Sequence, residues 1–148
     1  MIDIERHRPG RVILSVKIKR AVWNVAYVLL FRFFPTKLFR LWRIMLLKLF
    51  GAKVKWDSEV YASASVWAPW NLVMGHGSCL GPHVVCYNQD VVILEDDVVV
   101  SQYAYLCTAS HDVNMLNTAH DSLITAPIII KEKAWVGPRP FIGLRVCI

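Results

Sequence analysis

Met74-Gly75-His76-Gly77-Ser78-Cys79-Leu80-Gly81-Pro82-His83-Val84-Val85-Cys86 places a core-type residue at every sixth position, at 74, 80 and 86. Extended backwards, the series reads Trp56, Ala62 and Ala68. A companion series four residues later each time reads Val60, Val66, Leu72, Ser78 and Val84. After a two-residue slip the phase resumes at Leu94, Val100 and Leu106, with Val98 and Ala104 as companions. It returns after an interruption at Ile130, Val136, Ile142 and Ile148, with Ala134, Pro140 and Val146. A helix repeats every 3.6 residues and a strand every two. A period of six is the signature of a parallel β-helix, in which each hexad is one flat side and three sides close a coil.

The repeat predicts an all-β solenoid from residue 54 to 148, in about four triangular coils. The bulky residue points inward and stacks on its equivalent in the next coil, about 4.8 Å away. The companion also faces inward but sits near a corner, so it must be compact. Gly75, Gly81, Ser101, Gly137 and Gly143 follow the bulky position and are expected to ease the corner.

Charge divides the chain at the same place. Residues 1–55 hold 13 Lys or Arg against 2 Asp or Glu, whereas residues 56–148 hold 4 against 9. The basic character therefore belongs to an N-terminal segment, residues 1–53, and no nucleic-acid partner is expected for the mildly acidic solenoid. Residues 1–20 read as a polar lead-in. Ala21 to Phe34 is apolar and aromatic, but shorter than the roughly 20 residues a transmembrane helix needs. Thr36 to Phe50 reads as an amphipathic helix with Leu38, Leu41, Trp42, Met45 and Leu49 on one stripe and Lys37, Arg40, Arg43 and Lys48 opposite. Two roles are open to this segment: packing its apolar stripe over the first coil as a cap, or lying at an anionic membrane surface. The four cysteines form no Cys-x-x-Cys pair, and they read as buried free thiols of a reducing compartment. A cytoplasmic protein, peripheral at the inner membrane, is the expectation.

The repeat breaks between about 107 and 129, in an excursion carrying Ser110, His111, Asp112, Asn114, His120 and Asp121. A long loop thrown from a rigid solenoid is a usual place for function, and imidazole is well suited to take a proton from a hydroxyl. Ala109-Ser110-His111-Asp112, Thr125-Ala126-Pro127-Ile128 and Ala134-Trp135-Val136-Gly137 resemble the hexapeptide-repeat O-acetyltransferases, particularly those of colanic acid biosynthesis in bacterial exopolysaccharide clusters. The N-terminal segment from Trp23 to Gly51 is similar as well.

This resemblance implies a left-handed parallel β-helix and a homotrimer binding acetyl-CoA as co-substrate in a groove between subunits. Transfer is implied to a hydroxyl of a sugar or lipid-linked oligosaccharide. It implies that His111 is the catalytic base, that Asn88 contacts the acceptor, and that Trp135 lines the acetyl-CoA channel. Asp112 is expected to orient the imidazole or meet the acceptor. Read from the residues alone, Asn88 is equally a corner-turn residue and Trp135 an outward-facing residue of a flat side. No metal is expected: His76, His83, His111 and His120 lack the His-x4-His pair that zinc-binding relatives of this fold use. His76 and His83 read as turn residues. Acylation of an amine on a nucleotide sugar uses the same base and stays open. The resemblance also leads one to expect further repeats and a closing segment after Ile148, which sets a truncated, non-catalytic assembly partner against the enzyme.

Overall fold

The computed structural model describes residues 14–34, 37–111 and 123–148. Two helices precede the solenoid: α1 (Leu14–Ala26), continued by a π-helical turn at Tyr27–Phe31, and α2 (Arg40–Leu49), preceded by a 3-10 turn at Lys37–Phe39. Helix thus begins inside the stretch read as a lead-in, while Thr36 lies outside the described residues. Then β1 (Lys53–Val54), β2 (Glu59–Val60) and β3 (Ser65–Val66) form the first coil. The second contains β4 (Leu72–Met74), β5 (Cys79–Leu80) and β6 (Val85–Tyr87), and the third β7 (Val92–Leu94), β8 (Val99–Val100) and β9 (Tyr105–Cys107). An antiparallel hairpin, β10 (Ala109–His111) with β11 (Leu123–Thr125), is followed by the fourth coil, β12 (Ile128–Ile130), β13 (Trp135–Val136) and β14 (Phe141–Ile142).

Stacking the coils makes three four-stranded parallel sheets: β1-β4-β7-β12 is the first face, β2-β5-β8-β13 the second and β3-β6-β9-β14 the third. The register aligns Val54, Met74, Leu94 and Ile130; then Val60, Leu80, Val100 and Val136; then Val66, Cys86, Leu106 and Ile142. All twelve are buried and form the core.

That register corrects the phase of the first coil. Its inward strand residues are Val54, Val60 and Val66, whereas Trp56 is half exposed. The slip is not a single event. It recurs at the corner between the third and first faces, where Pro69–Asn71 forms a 3-10 turn and Asn88–Val91 repeats the detour a coil later. Each of these coils is three hexads plus two residues.

The small residues after the inward position serve stacking more than turning. A Cβ on Gly81 would sit 2.8 Å from the Val100 carbonyl oxygen of the next coil, so backbone would have to move. The left-handed turns instead use Gly77 and a series of larger residues, His83, Asp97, Tyr103, Lys133, Arg139 and Arg145, each three positions after an inward residue.

A solenoid's first coil exposes a ring of backbone carbonyls with no strand to receive them. Here the helices supply donors around the ring. Lys48 Nζ donates to Val54 O at 2.7 Å, and Arg40 Nη1 to Trp56 O and Ser58 O. Arg43 Nε donates to Val60 O at 2.8 Å, Tyr27 Oη to Ala64 O, and Trp23 Nε1 to Val66 O at 2.7 Å. Ile44, Leu46 and Leu47 close the apolar cross-section beneath them.

The cap role therefore holds, but on another face of α2 than the stripe read from sequence. Leu38, Leu41, Met45 and Leu49 are exposed. Arg43 is buried and also donates to Phe34 O at 2.9 Å. Its replacement by Met keeps the apolar stem and leaves both carbonyls without that donor, at about 1–3 kcal/mol for the buried bond to Val60 O and about 1 kcal/mol for the half-buried one to Phe34 O. Chemical unfolding of Arg43→Met is therefore expected to show about 2–4 kcal/mol less stability; a loss under about 0.5 kcal/mol would mean water replaces the guanidinium at no cost.

Candidate active site

The corner that carries the excursion is built from a column of three positions spaced by twenty residues: Ala68, Asn88 and Thr108, all fully buried. Asn88 bridges to the coil below. Its Oδ1 accepts from Ala68 N at 2.9 Å and its Nδ2 donates to Ala68 O at 2.7 Å, so the side chain substitutes for a strand where the backbone detours. Asn71 Nδ2 in turn donates to the Asn88 and Gln89 carbonyls. One coil on, Thr108 Oγ1 accepts from Asp90 N at 2.9 Å and donates to Tyr87 O at 3.2 Å, while Ala126 N donates to Thr108 O at 3.0 Å. Thr108 thereby pins both ends of the hairpin to the solenoid.

From this anchor β10 runs outward, with Ala109 opposite Thr125, Ser110 opposite Ile124 and His111 opposite Leu123. His111 is solvent-exposed at the outer end of the strand. A reacting hydroxyl can reach it there. Asp112 lies outside the described residues, as do Asn114, His120 and Asp121.

The other candidates occupy different ground. Asn88 is wholly buried with both ends of its amide bonded to Ala68, which is the corner-turn alternative and leaves no exposed group to meet an acceptor. Trp135 is 72% exposed on the outer side of the second face, its Nε1 donating to Ser101 Oγ at 2.8 Å. In a triangular prism the corner between the third and first faces is opposite the second face. A single chain therefore keeps His111 and Trp135 apart.

His76 and His83 are corner residues, as read. His76 Nδ1 lies 3.0 Å from Asp57 Oδ2, and this contact holds the Asp57 carboxyl below the usual range. The His83 ring stacks on Tyr103 at 5.0 Å between centroids. Among the described residues no group of three His, Cys, Asp or Glu side chains gathers to hold a metal ion. The cysteines are free but not uniformly buried: Cys147 is exposed, while burial pushes the Cys86 thiol up to about 12 and Cys79 up to about 11. Neither is a nucleophile at neutral pH. A groove of about 610 Å³ on the first face has Lys48, Lys53 and Lys55 on its wall and Glu95, Asp96 and Glu132 also lining it, and it includes none of His111, Asn88 and Trp135.

Sequence reasoning missed Thr108. The signal was present: the twenty-residue step Ala68–Asn88–Thr108 shows once the slip is counted at every third corner.

No family model matches the chain. WcaF of Escherichia coli K12, described as a colanic acid biosynthesis acetyltransferase, is 34% identical over 131 residues, spanning 88% of this chain and 70% of WcaF. The chain belongs to the hexapeptide-repeat acetyltransferases. Solved structures of hexapeptide-repeat acetyltransferases share the fold. One from Vibrio cholerae superposes with a TM-score of 0.78 at 19% identity, over 93% of this chain and 76% of that one. That enzyme has also been solved with acetyl coenzyme A. A maltose O-acetyltransferase from Clostridium difficile 630 gives 0.74 at 14% identity, over 91% and 71%. The solenoid is thus the left-handed β-helix of hexapeptide-repeat acetyltransferases, with the hairpin bearing His111 inserted between its third and fourth coils.

Proposed function

We propose that this chain transfers the acetyl group of acetyl coenzyme A directly to a hydroxyl of a sugar acceptor, free or lipid-linked, in exopolysaccharide synthesis. The observation that carries the reading is an exposed histidine, His111, on a pinned hairpin inserted in an otherwise regular repeat of this family. The neutral imidazole takes the hydroxyl proton as the oxygen attacks the thioester carbonyl. The C–O bond forms, and the carbonyl oxygen becomes an oxyanion that a nearby hydrogen-bond donor must steady. Collapse breaks the C–S bond, and the imidazolium returns its proton to the departing thiolate. Free coenzyme A and an O-acetyl sugar result.

The reading includes a homotrimer. Trp135 on the second face and His111 at the opposite corner can meet around one coenzyme only if they come from neighbouring copies. In this reading Asp112 has the role of orienting the imidazole toward the acceptor.

The test is acceptor-dependent release of thiol from acetyl coenzyme A by the full chain, with a panel of exopolysaccharide sugars and lipid-linked intermediates. Release with hydroxyl acceptors supports the proposal. Release only with amino sugars would make it an N-acyltransferase, and no release above spontaneous hydrolysis would favour a non-catalytic assembly role.

A further inference from the structure

α1 has two faces, and capping explains only one. Trp23 and Ala26 pack on the first coil, with Phe31 of the following turn. On the other side Leu14, Ile18, Val22, Val25 and Leu29 succeed one another at steps of three or four residues, each between 55% and 70% exposed. At 3.6 residues per turn they form one stripe about 20 Å long. Folding of the solenoid does not use them.

The charges around the stripe indicate what covers it. On a helical projection Lys17 and Lys19 fall on its two sides, both exposed, and Arg32 is exposed beyond its end. Between residues 14 and 50 there are eight Lys or Arg and no Asp or Glu. A second copy laying the same face against this one would set cation against cation. No helix among the described residues is long and apolar enough to cross a membrane.

We propose that this outward stripe docks on a bilayer surface rich in anionic phospholipid. Its apolar side chains enter the boundary between headgroups and acyl chains, and Lys17, Lys19 and Arg32 lie among the phosphates. The chain is then a peripheral protein of the inner membrane's cytoplasmic face. This rests on the helical segment alone and does not require the acetyl-transfer reading.

The experiment is flotation of the full chain with phosphatidylcholine vesicles, with or without phosphatidylglycerol, at low and high salt. Recovery with the anionic vesicles is expected, falling at high salt and at least tenfold weaker with phosphatidylcholine alone. Ile18→Asp/Val25→Asp is expected to weaken binding tenfold or more. Lys17→Glu/Lys19→Glu should weaken it at least about twentyfold, since each cation near the surface contributes about a fivefold factor. Ile18 and Val25 touch no capping residue, so circular dichroism and thermal melting of that pair should match the parent. Lys19 Nζ lies 5.9 Å from the centre of the Trp70 ring, so the lysine pair is expected to melt slightly earlier with an unchanged circular dichroism spectrum. Absence of flotation at low salt, equal recovery with both vesicle types, or full binding by the Ile18/Val25 variant would each overturn the proposal. So would a change in sedimentation coefficient without a change in flotation, which would show that a second copy covers the stripe.

Discussion

Replacing His111 by alanine lowers turnover by about two to four orders of magnitude and leaves the fold intact. The side chain is exposed at the outer end of a hairpin, outside the stacked core, so no cavity forms when it is removed. Removing a positioned base costs the proton transfer in the transition state and little of the substrate binding. The loss should therefore appear in kcat with a small change in KM for acetyl coenzyme A. His76→Ala and His83→Ala provide the contrast. The first removes an exposed contact with Asp57 and the second a ring stacked on Tyr103, and neither lies on the hairpin. Their activities should remain within a few-fold of the parent. Comparable losses in all three variants would point instead to general destabilisation or a shared metal, and the role given to His111 would fall.

Asn88→Ala produces the second large effect, on stability and not on acceptor binding. Truncation leaves the Ala68 N–H buried without a partner, while Ala68 O loses one of two bonds and keeps the one from Asn71 N at 3.0 Å. The stranded N–H costs about 1–3 kcal/mol and the lost bond to the carbonyl about 0.5–1.5, so unfolding should be easier by about 1.5–4.5 kcal/mol. Asn88→Asp does not rescue: a carboxylate accepts from Ala68 N but cannot donate to Ala68 O, and it places a charge where nothing is exposed. Denaturant midpoints measure the loss, and the KM for acceptor in the folded fraction should stay near the parental value. A raised KM with an unchanged midpoint would restore the acceptor-contact role that the resemblance implies. The Asn71 and Thr108 bonds at the same corner make the effect local, so the first sign of destabilisation should be exchange of amides around 88–91 and in the hairpin.

The solenoid was legible because hexad spacing is a backbone property. A residue that faces inward must recur wherever the chain completes one flat side, and Met74, Leu80 and Cys86 obey this without help from distant contacts. The phase of the first coil was misread for the same reason. Alanines at 62 and 68 are small enough to be buried at a corner as well as inside, so periodicity alone could not separate Val54 from Trp56. The interruption at 107–129 and the histidine in it were also visible, since a break in a strict period stands out.

By itself the sequence determined the parallel coils, the basic helical segment ahead of them, and the position of the excursion. Only the tertiary structure decided which face of α2 is buried. Leu38, Leu41, Met45 and Leu49 make the more regular apolar stripe, yet Arg43, Ile44, Leu46 and Leu47 go inside. The open coil presents carbonyl oxygens as well as apolar surface, and an arginine that donates to Val60 O answers both needs where a leucine answers one. Asn88 makes the same point. An asparagine's two-ended amide suits a ligand and a backbone gap equally, and what selects between them is the Ala68 peptide stacked one coil below, twenty residues away in the chain.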